Sequence, residues 1–310
     1  MKRSFWAVGV VVILLVAGAT TVAWKLESFM AAPVDVTADG TVFEITPGSS
    51  FGSVAYQLAE AGIISTDFWY RVHARLSEEP VVVQAGEYNI EVGTSARELL
   101  EQFAKGLVRL YSFTIIEGWN HRDLLAALHA DENVVASMNE EDWPVLLAEL
   151  GASVTHPEGL FLPETYHFPR DTSDREVLGQ AYELMQKVLE EEWQGRGETP
   201  VDTPYEALIL ASIVEKETAL PAERPRIAGV FARRLDKRMR LQTDPTVIYG
   251  IGAGFNGNLT RTDLRTDTPY NTYTRHGLPP TPIAMPGRSA INAALHPADG
   301  EELFLSLIHI

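Results

Sequence analysis

The sequence predicts an α+β protein with a single N-terminal transmembrane helix, a small α+β module and a larger mixed α/β domain. Three observations carry this. An uncharged run fills Ser4 to Trp24, short β-prone runs alternate with amphipathic helical stretches from Thr41 onward, and one apolar helix between Glu206 and Thr218 contains neither Gly nor Pro. The 310 residues suffice for a sizeable core, and 45% hydrophobic with 22% charged residues is a globular composition. A net charge of −17 leaves no basic surplus to displace counterions, which argues against a nucleic-acid partner. Cysteine is absent, which excludes a disulfide frame, a zinc–thiolate site and a thiol nucleophile.

Residues 1–25 read as a cytoplasmic tip and membrane anchor. Lys2 and Arg3 precede the apolar run and Lys25 and Glu27 close it, with Trp6 and Trp24 at interfacial positions. The basic pair keeps the N-terminus cytoplasmic, so the rest is exported. A cleaved signal ending near Ala17, Gly18 and Ala19 is the competing reading. Residues 26–40 read as a tether, because Ala31, Ala32 and Pro33 offer little to pack.

A compact module is expected over 41–110. Thr41 to Ile45 is a strand ended by Pro47-Gly48, and Phe51 to Ala61 is an amphipathic helix stopped by Gly62. Phe68 to Leu76 is a second helix. Strands are expected at Pro80 to Val83 and Glu87 to Ile90, and a helix over Thr94 to Lys105 is capped by Ser95 and closed by Gly106.

The larger domain is expected over 111–304. Val108 to Ile116 is β-branched and aromatic, and Glu117-Gly118 turns into a helix over His121 to Leu128. An acid-rich helical region runs to Leu150, Gly159 to Phe168 forms a loop or strand, and Ser173 to Trp193 is helical. Pro225 to Arg240 reads as an amphipathic helix with an exposed basic face of Arg233, Arg234, Lys237, Arg238 and Arg240. Leu241 to Pro297, rich in Gly, Pro, Asn, Thr and Tyr, reads as site-forming loops. Leu305 to Ile310 have no cap, turn or polar tail; they are expected to be a non-native end standing in for a lost natural C-terminus.

The chemistry concentrates in SIVEKET (Ser212 to Thr218). Leu210, Ile213, Val214 and Glu217 share one helical stripe, so Glu217 is expected to lose solvation and hold a proton near neutral pH. Glu215 falls below Leu208, Ala211 and Ser212, a more mixed face. The alternative is a helix end emerging into water with both acids hydrated. No HExxH, DxDxDG or GxSxG pattern occurs, and GIGAGFNG (Gly250 to Gly257) lacks the Lys-Ser/Thr of a phosphate loop. The remaining polar and aromatic groups, Gln242, Asp244, Asn271, Tyr273 and Tyr166, suit sugar hydroxyls and sugar faces. A glycosidase uses two carboxylates, and Asp244, Glu164 or Asp263 could each be the second; spacing does not choose.

These motifs resemble the YceG-like endolytic murein transglycosylases. The resemblance rests on FEITPG (Phe43 to Gly48), AGII (Ala61 to Ile64), AGEY (Ala85 to Tyr88), IEG (Ile116 to Gly118) and EGLFLPETY (Glu158 to Tyr166). It is carried further by ASIVEKET, LQTDPTVIYG (Leu241 to Gly250), YNTY (Tyr270 to Tyr273) and the GLPP, PG and HPA elements of Gly277 to Ala298. It implies a single-pass anchor in a bacterial cytoplasmic membrane, a LysM-like module at 41–110 and a YceG-like catalytic domain on the outer side. The catalytic acid implied is Glu217, with Glu164, Tyr166, Gln242, Asp244, Asn271 and Tyr273 around the substrate and no metal or cofactor. The implied reaction is non-hydrolytic cleavage of the MurNAc–GlcNAc bond to 1,6-anhydroMurNAc ends, terminating nascent peptidoglycan strands alongside peptidoglycan synthases. A non-catalytic peptidoglycan-binding scaffold of the cell-wall machinery is the rival.

Overall fold

The computed structural model describes residues 2–77 and 80–304 and divides into two compact units, meeting between Tyr111 and Ser112. In the first, helix α1 (Lys2–Ala31) contains a 23-residue segment, Gly9–Ala31, long and apolar enough to cross a membrane. Its side chains from Val10 to Val16 are exposed, and nothing in the unit covers them.

After α1 come strand β1 (Thr41–Ile45), helices α2 (Phe51–Glu60) and α3 (Phe68–Leu76), strand β2 (Gly86–Ile90) and helix α4 (Ala96–Lys105). β1 and β2 pair antiparallel with Phe43 opposite Tyr88, which places both rings on the face that meets α4. Tyr88 and Phe43 then pack on Phe103, with ring centroids 4.7 and 6.0 Å away. The ends of α4 follow from local chemistry. Ser95 and Glu98 form a reciprocal capping box, and Gly106 takes the left-handed conformation (φ 65°) that ends the helix.

Two expectations change here. Residues 26–40 are not a loose tether: Met30 and Val34 are buried in the same core, and the Val34 and Asp35 amides donate to Thr94 and Ile63 carbonyls at 2.8 Å. The small residues between them hid an i, i+4 apolar pair. Pro80 to Val83 form no strand; Val81 and Val83 pack on the core from irregular chain.

The second unit runs through strand β3 (Tyr111–Thr114), helix α5 (His121–Ala130), strand β4 (Val134–Val135), a 3₁₀ turn (Glu140–Asp142) and helix α6 (Trp143–Glu149). Strands β5 (Thr165–Phe168) and β6 (Thr172–Ser173) precede helices α7 (Asp174–Gln194), α8 (Pro204–Glu217), α9 (Arg224–Asp236), α10 (Asp244–Ile251) and α11 (Arg288–Leu295). β3 pairs with β5, and β4 with β6 in parallel. The unit is thus helical with two small sheets. α8 lies at its centre against α7, α9, α10 and α11, and every residue from Ala207 to Glu215 is buried.

Two corrections follow in this unit. α10 and α11 occupy the region read as loops. Thr243 and Pro245 start α10, and α11 buries Ala290, Ile291, Ala293, Ala294 and Leu295. The basic face of α9 is only partly solvated. Arg234 is buried, its guanidinium donating to the carbonyls of Leu241 (2.6 Å) and Leu303 (2.6 Å), while Arg233 holds those of Ala298 and Glu302 at 2.9 Å. The two arginines fasten the 298–303 segment to α9. The expected non-native end, Leu305 to Ile310, lies outside the described residues.

Candidate active site

Glu217 is the last residue of α8, and the chain leaves the helix at Thr218 in an extended conformation. It is partly buried and lines a cavity of about 340 Å³ together with Glu117, Gly118, Glu215, Lys216 and Arg224. Burial pushes its carboxyl above the usual carboxylate range, and the nearby Asp244 charge adds to the rise. A hydrogen bond from the Thr243 hydroxyl to Glu217 Oε1 opposes both by favouring the ionised form.

Thr243 is itself held by a buried hydroxyl cluster. Its amide donates to Thr272 Oγ1 (3.1 Å), its carbonyl accepts from Thr246 Oγ1 (2.8 Å), and the Thr246 and Thr272 hydroxyls bond each other at 2.8 Å. The cluster holds the Thr243 backbone, and so places the hydroxyl beside Glu217 before substrate arrives. Gln242, just before it, is exposed and adopts a left-handed backbone (φ 50°) that bulky residues seldom take.

Asp244 accepts from the Tyr273 hydroxyl at 2.6 Å, and the charges of Asp244 and Glu217 add to burial in raising the Tyr273 phenol. Asn271 is fully buried. Its side-chain amide donates to the carbonyls of Asp263, Leu264 and Thr266, and its oxygen accepts from the Tyr273 amide at 2.9 Å. Every polar atom of that side chain is therefore engaged in shaping the loop that carries Tyr273. Among the three candidate second carboxylates, Asp244 is the one whose charge reaches Glu217. Asp263 binds the Thr260 amide (2.8 Å) and hydroxyl (2.6 Å) in its own turn, and Glu164 accepts from its neighbour Thr165.

Glu164 and Tyr166 are not brought to Glu217. They line a different cavity of about 480 Å³ with Leu162, Gln180 and Arg288, and this cavity shares Glu117 with that of Glu217. Tyr166 is buried, and its hydroxyl donates to the Leu162 carbonyl at 2.6 Å, which leaves it a structural tie.

The face assigned to Glu215 is also corrected. Its side chain is more deeply buried than that of Glu217, bonded to Arg224 (2.6 Å) and to the Gly287 amide (2.9 Å). Arg224 in turn reaches Glu117 at 3.0 Å. Burial outweighs these partners and raises the Glu215 carboxyl. Leu208, Ala211 and Ser212 are as buried as the stripe opposite, so no mixed face exists. Thr243, Glu117 and Arg224 went unread in the sequence. Thr243 and Glu117 sit inside the motifs LQTDP and IEG, whereas Arg224 carries no sequence signal of its own.

Around this arrangement the likeness to known proteins is extensive. The family model described as the YceG-like family matches residues 43–306. An endolytic murein transglycosylase of Bacillus subtilis is 30% identical over 88% of this chain and 80% of its own length. One from Streptococcus pneumoniae is 27% identical over 91% of this chain, which spans 56% of that longer protein. The crystal structure of a YceG-like protein from Listeria monocytogenes superposes with a TM-score of 0.54 at 25% identity, covering 87% of this chain and 95% of that one. The matched span contains the core of the first unit from Phe43 onward and the α8 carboxylate with its threonine cluster, and the chain belongs to the YceG-like family.

Proposed function

We propose that this chain is an endolytic peptidoglycan lytic transglycosylase that cleaves the MurNAc–GlcNAc bond without water and leaves 1,6-anhydroMurNAc ends. The observation that carries the reading is Glu217: a carboxyl raised by burial, fixed on one oxygen by Thr243 and opening onto a cavity. The relatives named as endolytic murein transglycosylases supply the substrate class.

The geometry suits one residue acting twice. A protonated Glu217 gives its proton to the glycosidic oxygen as the bond to the muramyl carbon breaks, and the N-acetylglucosamine departs as an alcohol. The resulting carboxylate then takes the proton of the muramyl 6-hydroxyl while that oxygen closes on the same carbon. Glu217 ends protonated, so the cycle balances without a second acid. Thr243 serves both halves, because it stabilises the carboxylate and keeps Oε1 in place while Oε2 faces the substrate. Asp244, oriented by Tyr273, lies where a negative charge offsets the cationic character of the sugar in flight. Gln242 stands beside them, and Asn271 acts indirectly by holding Tyr273.

In this reading Gly9–Ala31 anchors the protein in the cytoplasmic membrane with the cleaving unit outside. Residues 41–110, which begin with the run strand, helix, helix, strand and continue into α4, are the LysM-like module that meets glycan, and cleavage terminates growing strands beside the synthases. Purified glycan strands incubated with the protein should acquire anhydro ends, read by mass spectrometry. Strands that bind and remain intact would leave the scaffold reading instead.

A further inference from the structure

The second unit holds a cavity of about 990 Å³ that the mechanism above does not use. Its floor is a buried polar cluster. Glu158, fully buried, accepts from the His121 amide (3.2 Å), from His121 Nδ1 (2.7 Å) and from the Tyr249 hydroxyl (2.9 Å). A buried carboxylate is costly, and this one bonds no Arg or Lys. What it achieves is orientation: it fixes His121 and Tyr249, and both line the cavity. Nδ1 faces Glu158, so the other ring nitrogen, Nε2, is the one left for a ligand, and among the described residues nothing bonds it.

The walls are aromatic, with charged side chains at their edge. Tyr249 and Tyr270 meet edge to face at 4.9 Å, and Phe255 closes the rim. Arg122 faces Glu140 at 3.6 Å, Asp123 accepts from the Asn120 amide, and Lys216 donates to the Gly118 carbonyl at 3.1 Å. The aromatic faces, with the hydrogen-bonding groups of His121 and Tyr249 between them, suit a sugar ring. Lys216 and Gly118 line this cavity and the Glu217 cavity alike, so the two are neighbours across one ridge.

We propose that this cavity is a second glycan subsite, holding an N-acetylhexosamine ring of the strand, with His121 Nε2 hydrogen-bonded to a sugar hydroxyl and Tyr249, Tyr270 and Phe255 packing on sugar faces. The proposal rests on reading the chain as an enzyme of glycan strands. It gives the strand a fixed footing beside the Glu217 cavity, which at about a third of the volume is too small to hold a long chain by itself.

The test uses full-length Glu217→Gln protein in detergent, which binds without cleaving, titrated with long glycan strands stripped of peptide by an amidase and with the same strands unstripped. His121→Asn keeps a donor near the Nδ1 position for Glu158 but removes Nε2, and Phe255→Ala removes the aromatic rim. Each should weaken binding of both strand types about tenfold, the loss expected for one good contact. In protein with Glu217 intact the same changes should raise KM and leave kcat within about twofold. Unchanged affinity in variants that unfold at the parental temperature would overturn the proposal. So would a loss confined to peptide-bearing strands, or a Glu217→Gln protein that binds no strand. Binding is measured where cleavage is impossible, so failure of the wild-type protein to make anhydro ends would remove the transglycosylase reading and leave this result standing.

Discussion

The Thr243 hydroxyl donates a hydrogen bond to the carboxylate of Glu217, 26 residues earlier in the chain. One residue ends a buried helix and the other stands at the start of α10, so the bond ties the α8 terminus to the loop bearing Asp244 and Tyr273. The balance between this bond and the burial of the carboxyl sets the protonation of Glu217, and several measurable consequences depend on it.

Glu217→Gln should retain the fold and lose cleavage by roughly a thousandfold or more, since nothing replaces the proton donor. Its stability should change in a defined direction. The folded-state carboxyl is raised, so the native protein holds this proton more tightly than the unfolded chain, and stability falls as pH climbs from the unfolded value through the folded one. A permanently neutral Gln escapes that loss. The variant should therefore melt higher than the parent at pH 8 and match it near pH 4; a parent more stable at pH 8 would contradict the raised carboxyl.

Thr243→Val keeps the shape and removes the donor. The bond favours ionised Glu217, so its loss should raise the carboxyl further and move the alkaline limb of the kcat/KM profile to higher pH. The maximum should fall about 10- to 100-fold, because the carboxylate formed mid-reaction loses its partner. A profile with an unmoved limb would exclude Thr243 from that role.

Glu215 should behave in the opposite way to Glu217. Its side chain and that of Arg224 are each 4% exposed and 2.6 Å apart. Removing one member leaves the other charge buried, so Glu215→Ala should cost about 3–5 kcal/mol in urea unfolding. An exposed, dispensable acid would give under about 0.5 kcal/mol.

Gly229→Ala should reverse the usual sign for a helix. Inside α9, Ala is ordinarily better than Gly by about 1 kcal/mol. Here the added Cβ would run into the carbonyl of Ala298, whose segment Arg233 clamps to the helix. A destabilisation of about 1–3 kcal/mol is expected in thermal or urea unfolding, and a stabilised variant would show that the 298–303 segment yields freely.

The anchor has its own check. If Gly9–Ala31 spans the bilayer, full-length protein should stay in membrane fractions through a carbonate wash. A soluble product beginning after Ala19 would identify a cleaved signal.

Local chemistry, written in neighbouring residues, was readable without coordinates. The cap at Ser95, the stop at Gly106, the strands around Phe43 and Tyr88, and the apolar run ending in EKE each depend on contacts within a few residues. Tertiary structure alone decided which glutamate is locked to an arginine and which is met by a threonine hydroxyl. α8 is apolar on all sides, so a helical wheel has no wet face to set Glu215 apart from Glu217; Arg224 and Gly287, from α9 and the turn before α11, make that distinction. Side-chain type placed Tyr166 and Glu164 with the sugar-binding groups, but β5 and the residue before it line another cavity. Thr243 was passed over between Gln242 and Asp244 because a hydroxyl has no chemistry of note until a folded loop sets it against a buried acid.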